Sequence, residues 1–596
     1  MDYSKFKDRK PEDTVLEIQR ILHEVGLFPV ISWGDKSYEG ARSCRITLHP
    51  TEYGTNGKGT DELYATASGY GELIERLENN IITYRDRGDD MKDKVGFREF
   101  PDEKDVSIFD IADNPDPYSS IMFEKMGLTD YVSRVGFLQE LSRLYNRTDN
   151  KITVVPFADP VEGKIQWLPI SFIIEFTLSN GMAAGNTMEE AMVQGLSEVF
   201  ERAVNLAILK GEVVPPVIPE EELKKYSFYR LIEQIHAEGH FRVTPLDCSM
   251  GRGWPVAGLM ITDVKTGNFG IKLGAHPSFA IAMERTLTES LQGRNMEDFA
   301  NAARPGTVEQ SAKYHNITNI SKTGNGYYPA KLLTDKPDWE YTPWDQWEGK
   351  NNHEFLKSMF GLLYAEGCHP MVRDCSFLGF PSCFIVVPGV TEIYVDGKIK
   401  YKDIVTTRKA RRSWDHFPIL DKDEEDRLLM LILFNENSTR DNLVSFATAR
   451  QLSEKYMLEK VAAWIAMKHK EYDRAIHFFE KLYMYESNEK EKLYYKAMVQ
   501  YVRALSWSFD DEKAKALIRK LYPDDTASCI AEDVSDPETI MERKFPKLHC
   551  YNCENCPLAG KDCTYPDTRN IVIKTMSAMK TENVSQEKML KMLSEF

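Results

Sequence analysis

Apolar residues recur at helical spacing in several stretches of the chain. Val15, Ile18, Ile21, Leu22 and Val25 fall on one side of residues 11–26, with Gly26 as a stop signal, so this spacing predicts an amphipathic helix. Ala191, Val193, Leu196, Val199 and Phe200 form a second stripe behind Asn186 and Thr187, which suit an N-cap, and Glu190 stands at the capping-box distance from Thr187. A helix over 187–208 follows, and similar patterns place helices at 62–80 and 278–294. Alternating or β-branched runs predict strands at 44–48, 167–177, 269–273 and 383–387. Residues 86–150 read as charged and turn-rich, and 300–350 as a long, partly irregular connection. These elements sum to an α/β or α+β domain over residues 1–415.

Farther on, the pattern changes. Helix formers dominate residues 424–523, where Tyr472, Ala475 and Phe479 keep the Tyr-x-x-Ala-x-x-x-Phe spacing of tetratricopeptide units and residues 492–521 supply a degenerate second pair. Two such units are too few for a free-standing array, so they are expected to lean on the first domain.

The polar faces carry the chemistry. On the 187–208 helix, Glu198 and Glu201 stand one turn apart with Arg202 directly after, and Glu72, Glu75 and Arg76 repeat the arrangement on the 62–80 helix. Like charges at that spacing repel unless a cation stands between them. Two such helices face to face would offer four carboxylates, a hard-oxygen set suited to magnesium and hence to nucleotide phosphates. The stretch Gly54-Thr-Asn-Gly-Lys-Gly-Thr60 lacks the Walker A spacing, so a nucleotide must be held in another way. His276, in the turn before the 278–294 helix, invites a catalytic role, but backbone hydrogen bonding is the plainer account.

Composition narrows the function class. The chain has 596 residues, 42% hydrophobic and 28% charged, which is ordinary for a soluble multidomain protein. A net charge of -17 argues against broad nucleic-acid or anionic-membrane binding. The N-terminal residues are polar, with no signal-peptide core, and no apolar run is long enough for a membrane span, so a cytoplasmic location is expected. Six scattered cysteines then read as reduced thiols. Cys550, Cys553, Cys556 and Cys563, in a tail at 540–596, make C-x2-C-x2-C-x6-C, a metal-ligation pattern compatible with Zn2+ or an iron–sulfur cluster.

Taken together, Thr55-Asn-Gly-Lys-Gly59 with Gly71-Glu-Leu-Ile-Glu-Arg76, Ser179-Asn-Gly-Met-Ala-Ala-Gly-Asn-Thr187 with Val193-Gln-Gly-Leu-Ser-Glu-Val-Phe-Glu-Arg202, and Gly274-Ala-His-Pro277 with Glu284-Arg285, Thr288-Glu289 and Leu291-Gln-Gly-Arg294 resemble the YcaO family. The resemblance covers roughly the first two thirds of the chain. It implies an ATP-binding fold without a P-loop, with Mg2+ on Glu72, Glu75, Glu198 and Glu201. By the same resemblance, ATP contacts fall on Lys7, Thr14, Ser68, Asn186, Glu190, Gln194, Arg202, Arg285 and Glu289, with Arg202 and Arg285 in the catalytic role of clamping phosphate oxygens. Ala183 stands where a serine is expected, which removes one hydroxyl contact. Family members use ATP to activate a peptide-backbone amide oxygen, giving an azoline or, with sulfide, a thioamide. Azoline-forming members typically end in a PxPxP tail, whereas this chain ends Lys591-Met-Leu-Ser-Glu-Phe596, which disfavours azoline formation. The length and helical C-terminal part resemble the stand-alone type, linked to β-methylthiolation of a small-subunit ribosomal protein. The implied partners are therefore a peptide or protein substrate, or else a methylthiotransferase or ribosomal protein served by an accessory factor, and a homodimer is compatible with either.

Overall fold

The computed structural model describes residues 7–34, 38–81, 100–144, 147, 149–292, 294–393, 401–402, 404–405, 417–434, 455, 457–486, 488–536, 539–548, 552–556 and 563–596. The chain forms two compact units, Met1–Lys402 with Asn570–Phe596, and Asp403–Arg569. Among the described residues, no helix is long and apolar enough to cross a membrane.

In the first unit, helix α1 (Pro11–Val25) leads into a three-stranded antiparallel sheet of β1 (Pro29–Trp33), β2 (Arg42–Leu48) and β3 (Gly54–Gly59). Helix α2 (Glu62–Glu78) packs against this sheet, its start fixed by the Asp61 carboxylate accepting from the N–H groups of Leu63 and Tyr64. The approach is so close that a Cβ on Gly57 would sit 2.0 Å from the Ala65 carbonyl oxygen, so the Asn-Gly-Lys-Gly run is a packing requirement. Ile18, Leu22, Ile46, Leu73 and Ile74 form the apolar core between α1, α2 and β2.

A six-stranded sheet follows the order β4 (Lys104–Ser107), β5 (Lys151–Asp159), β13 (Met371–Asp374), β14 (Ser382–Val386) and β7 (Met182–Ala184), with β6 (Lys164–Pro169) paired to β5. A third sheet orders β12 (Gly326–Pro329), β11 (Ala303–Gly306), β10 (Phe269–Ala275), β9 (Val256–Asp263) and β8 (Phe241–Asp247); it is antiparallel except for the β11–β12 pair. Helices α3 (Met188–Leu209) and α4 (Phe279–Ser290) follow β7 and β10 respectively, and α5 (Asn352–Ala365) packs on α3. The α3 stripe of Ala191, Val193, Leu196, Val199 and Phe200 is fully buried.

One sequence expectation needs correction, and two stretches prove richer in elements than their composition suggested. Residues 167–177 are not one strand: β6 ends at Pro169, whose extended backbone opens a helix over Ile170–Thr177. Ile170–Thr177 is buried except at Glu175, and a short, mostly apolar run buried on nearly all sides carries too little period to separate strand from helix. Residues 300–350 are partly irregular as expected, and they hold β11, β12 and the helix Tyr314–Thr323 between them. Residues 86–150 contain β4 and three helices, two of them capped by Ser107 and Asp116, beyond 82–99, which fall outside the described residues.

The C-terminal segment belongs to the first unit, where the Gln586 side chain bonds both the N–H and the carbonyl of Asp374 at 3.0 and 2.9 Å. In the second unit, α6 (Lys422–Phe434), α7 (Leu458–Lys468), α8 (Tyr472–Tyr485) and α9 (Glu489–Ser506) pack in sequence around a core that includes Trp464, Phe478, Phe479 and Met498.

Candidate nucleotide and metal site

Helix α3 begins where its sequence says it should, with the Thr187 hydroxyl accepting from the Glu190 N–H at 3.1 Å. The expected reciprocal half of the capping box does not form. The Glu190 carboxylate instead receives the Lys7 ammonium at 2.8 Å, the Asp8 N–H at 3.0 Å and the Asn186 amide at 3.0 and 3.2 Å. A cation and a side-chain amide compete better for a carboxylate than one peptide N–H does. Burial pushes the Glu190 carboxyl up, but the Lys7 charge and these donors outweigh it and hold the group below its ordinary value. Thr14 joins the cluster by donating to Asn186 Oδ1 at 2.7 Å. Lys7, Thr14, Asn186 and Glu190 are therefore brought together.

One turn farther along α3, the Gln194 Oε1 accepts from Arg285 of α4 at 2.5 Å. Arg285 is buried, which lowers its affinity for a proton, while Glu201 and Glu198 oppose that effect from nearby. Glu289, one turn beyond Arg285, is shared between Lys58 of β3 and Lys272 of β10, the latter at 2.6 Å. Because one carboxylate serves two ammoniums, neither is fully compensated. Burial, with Arg285 and Lys272 alongside, pushes Lys58 down to about 7, and burial lowers Lys272 as well. Sequence reading passed over both lysines. Lys58 stands in the Asn-Gly-Lys-Gly run, which departs from the P-loop pattern and belongs to a family block without an assigned contact at this position, and Lys272 lies inside a strand with no local signal.

The four glutamates expected to bind Mg2+ approach one another from α2 and α3. Glu75 feels Glu198 and Glu72 as neighbouring charges, and Glu201 reaches toward Lys272 at 3.8 Å. Each copy of the motif holds its own counter-charge, Arg76 at 3.1 Å from Glu75 and 3.4 Å from Glu72, Arg202 at 2.7 Å from Glu198. No three of these carboxylates offer oxygens within 4.8 Å of one another. Mutual repulsion and the arginines account for that spread. The donor set still fits a hard divalent ion. Glu75 Oε1 is buried and makes no hydrogen bond, its contact with Arg76 lying outside hydrogen-bond alignment. Burial and the charges of Glu198 and Glu72 push the Glu75 carboxyl up to about 8, even though Arg76 pulls the other way. A buried, underbonded carboxyl among like charges gains most from a cation. A cavity of about 370 Å³ lies at the Glu201 end of the group, lined by Glu201, Arg202, Lys272, Glu289, Arg294 and Tyr328, among others; Glu72, Glu75 and Glu198 do not line it.

Ser68 is half-buried on α2, one turn before Glu72. His276 is buried and accepts the Ser278 N–H on Nδ1 at 2.9 Å; burial and the charges of Arg285 and Lys7 keep it neutral, as the backbone-bonded account expects. Cys553, Cys556 and Cys563 of the C-x2-C-x2-C-x6-C run lie in the second unit. Burial and the proximity of Cys563 and Cys556 raise the Cys553 thiol, whereas Cys550 lies outside the described residues.

Residues 56–391 match the family model described as YcaO cyclodehydratase, ATP- and Mg2+-binding. The Escherichia coli K12 protein named ribosomal protein S12 methylthiotransferase accessory factor YcaO is 29% identical over 399 residues, 65% of this chain and 66% of that relative. An uncharacterised Haemophilus influenzae Rd protein is 32% identical over 347 residues, 57% of each chain. The chain thus spans two thirds or less of the curated relatives it matches. Among solved structures, YcaO from Methanopyrus kandleri bound with AMPPCP and Mg2+ is similar at 17% identity and a TM-score of 0.40, covering 66% of this chain and 95% of that one. The match over more than half of the sequence settles the family: this chain belongs to the YcaO family, whose members bind ATP and Mg2+.

Proposed function

We propose that the first unit binds ATP with Mg2+ between α2, α3 and α4 and uses it to activate a backbone amide of a peptide or protein substrate. The observation that carries this reading is the convergence, in one partly buried region, of Glu72, Glu75, Glu198 and Glu201 with Lys58, Arg202, Lys272 and Arg285. Carboxylates suit the metal and the cations suit a polyphosphate, and neither half has an evident use without the other. Glu72, Glu75, Glu198 and Glu201 would hold Mg2+, which neutralises phosphate charge when bound. Arg202 and Arg285 would clamp phosphate oxygens, with Gln194 fixing the Arg285 plane. Lys7, Thr14, Ser68, Asn186, Glu190 and Glu289 would line the nucleotide. The overall transfer moves the γ-phosphoryl group of ATP to the amide oxygen and leaves ADP; a nucleophile then adds at the amide carbon and phosphate departs with the former amide oxygen, so that sulfide as the nucleophile gives a thioamide.

A second reading has its own support. The named E. coli relative is an accessory factor, and the helical second unit offers hairpins α7–α8 and α8–α9, of the kind that dock partners, in tetratricopeptide-like spacing. In that reading ATP binding regulates docking on a methylthiotransferase or ribosomal protein, and the Cys550–Cys563 run holds Zn2+ or an iron–sulfur cluster as a structural element. Phosphate release measured with and without candidate peptides, in the unaltered chain and in Glu198→Gln/Glu201→Gln, separates the two. The enzyme reading expects peptide-stimulated turnover that the double variant loses by at least about a hundredfold. Turnover that persists in the variant removes the proposed metal site, and ATP binding without turnover under any partner favours the accessory role.

A further inference from the structure

The second unit carries a group of potential ligands that the nucleotide site does not use. Asp426 on α6, His469 directly after α7 and Glu471 directly before α8 offer ligand atoms that all lie within 4.8 Å of one another, and they are the only such trio among the described residues. Ligands bound to one ion at about 2.0–2.2 Å are themselves about 3–4 Å apart, and the His469 Nδ1 to Asp426 Oδ1 separation of 3.2 Å falls in that range. Sequence separation helps: residues 469 and 471 flank the tight turn between α7 and α8, whose corner is Lys470 in a left-handed conformation at φ 59°.

The imidazole supplies the second observation. Its side chain is only 9% exposed, and its two nitrogens face two different carboxylates. Nε2 lies 2.5 Å from Glu425, which is itself 2% exposed and takes the Lys468 ammonium at 2.9 Å on its other oxygen. That contact fixes the Nε2–H tautomer, in the way a carboxylate behind a metal-bound histidine does. Nδ1 is then left with a lone pair. It is buried, makes no hydrogen bond, and sits 3.2 Å from Asp426 Oδ1. Two acceptors facing each other at that distance need a cation between them. A proton there would show as an aligned hydrogen bond, which the contact is not. Glu471 completes the third corner, with its Oε2 held by Arg474 at 2.6 Å.

We propose that Asp426, His469 Nδ1 and Glu471 bind a divalent first-row transition metal ion in the helical unit. One imidazole and two carboxylates suit Mn2+, Fe2+ or Zn2+ better than Ca2+, which prefers oxygen alone. The ion ties α6 to the α7–α8 hairpin, with Glu425 as the residue that orients the imidazole.

The test uses the full-length, metal-stripped chain and Mn2+ alone. Pulsed EPR of bound Mn2+ detects coupling to an imidazole nitrogen; the glutamates of the first unit contain no such donor, and thiolates hold Mn2+ poorly. The expected result is an imidazole-coupled Mn2+ signal that disappears in His469→Gln and in Asp426→Asn, the latter a partly exposed position whose replacement leaves the helical circular dichroism intact. Glu425→Gln keeps the signal but weakens Mn2+ binding by about 10- to 100-fold. Absence of nitrogen coupling in the unaltered chain would mean that His469 is an imidazolium clamped between carboxylates, and the proposal falls. It falls equally if the coupling survives His469→Gln.

Discussion

Glu72-Leu-Ile-Glu-Arg76 on α2 and Glu198-Val-Phe-Glu-Arg202 on α3 carry the same polar pattern, yet the two copies differ in how water reaches them. In the first, Glu75 is 11% exposed and Arg76 19%, and the carboxylate oxygen facing the arginine makes no hydrogen bond. In the second, Glu198 is gripped on one oxygen by both Nε and Nη2 of Arg202 at 2.8 and 2.7 Å, and that arginine is 33% exposed. One copy stores electrostatic tension, and the other is a satisfied, partly exposed pair. A repeated motif thus sets where charges stand along a helix, while burial decides their protonation and how badly they need a cation.

The sharpest way to break this comparison is to remove each arginine. Arg76→Met removes the counter-charge of Glu75 and, above about pH 8, where that carboxyl is ionised, should cost the metal-free chain about 3–5 kcal/mol, the range for breaking a buried pair. Arg202→Met should cost about 1 kcal/mol or less, because water can replace the lost partner. Denaturant unfolding followed by a first-unit tryptophan such as Trp254 reads both. Equal costs would show that the two environments are the same.

Proton linkage gives the next largest effect. Glu75 titrates near 8 in the fold against an ordinary carboxylate value when unfolded, so between those values the folded chain holds the extra proton. Stability of the metal-free chain therefore falls as pH rises through that window, and the loss is complete above about 8. Mg2+ must displace the proton, so its affinity should climb from pH 6 to a plateau above pH 8, with about one proton released per ion. Calorimetry in buffers of different ionisation heat measures the release. Glu75→Gln should flatten the profile, and a profile that keeps its slope in this variant would assign the proton elsewhere.

Lys58 offers a weaker, opposite signal. Its ammonium is held down to about 7, so it is partly neutral at that pH, and a polyphosphate beside it should draw a proton back. Nucleotide binding near pH 7 should then take up a fraction of a proton, and Lys58→Met should abolish the uptake while weakening ATP binding by about tenfold. Release in place of uptake would remove Lys58 from the phosphate site.

These contrasts explain what the sequence made legible. The α3 N-cap and its apolar stripe depend on residues within one or two turns, and the structure has them as read. The family blocks likewise sit on α2, α3 and α4. Missed features depend on partners distant in sequence. Glu190 turns from its capping box to Lys7, 183 residues away. Lys58 and Lys272 meet at Glu289 only after three separate elements are packed. The 170–177 helix was lost because a short, mostly apolar run reads alike in both conformations when nearly every side is buried.

Glu72 provides the finest test, because it separates charge from packing. It is 38% exposed and meets Arg76 at 3.4 Å with i,i+4 spacing, so Glu72→Gln should change stability by no more than about 0.5 kcal/mol. Its charge nevertheless contributes to raising Glu75. Neutralising it should therefore move the midpoint of the Mg2+ pH profile downward without changing the one-proton slope, whereas Glu75→Gln removes the slope itself. A midpoint that stays in place would mean that Glu72 points its charge away from Glu75 in solution. The α2 copy would then owe its tension to burial and Glu198 alone, and the metal ligation proposed for Glu72 would be its whole contribution to the site.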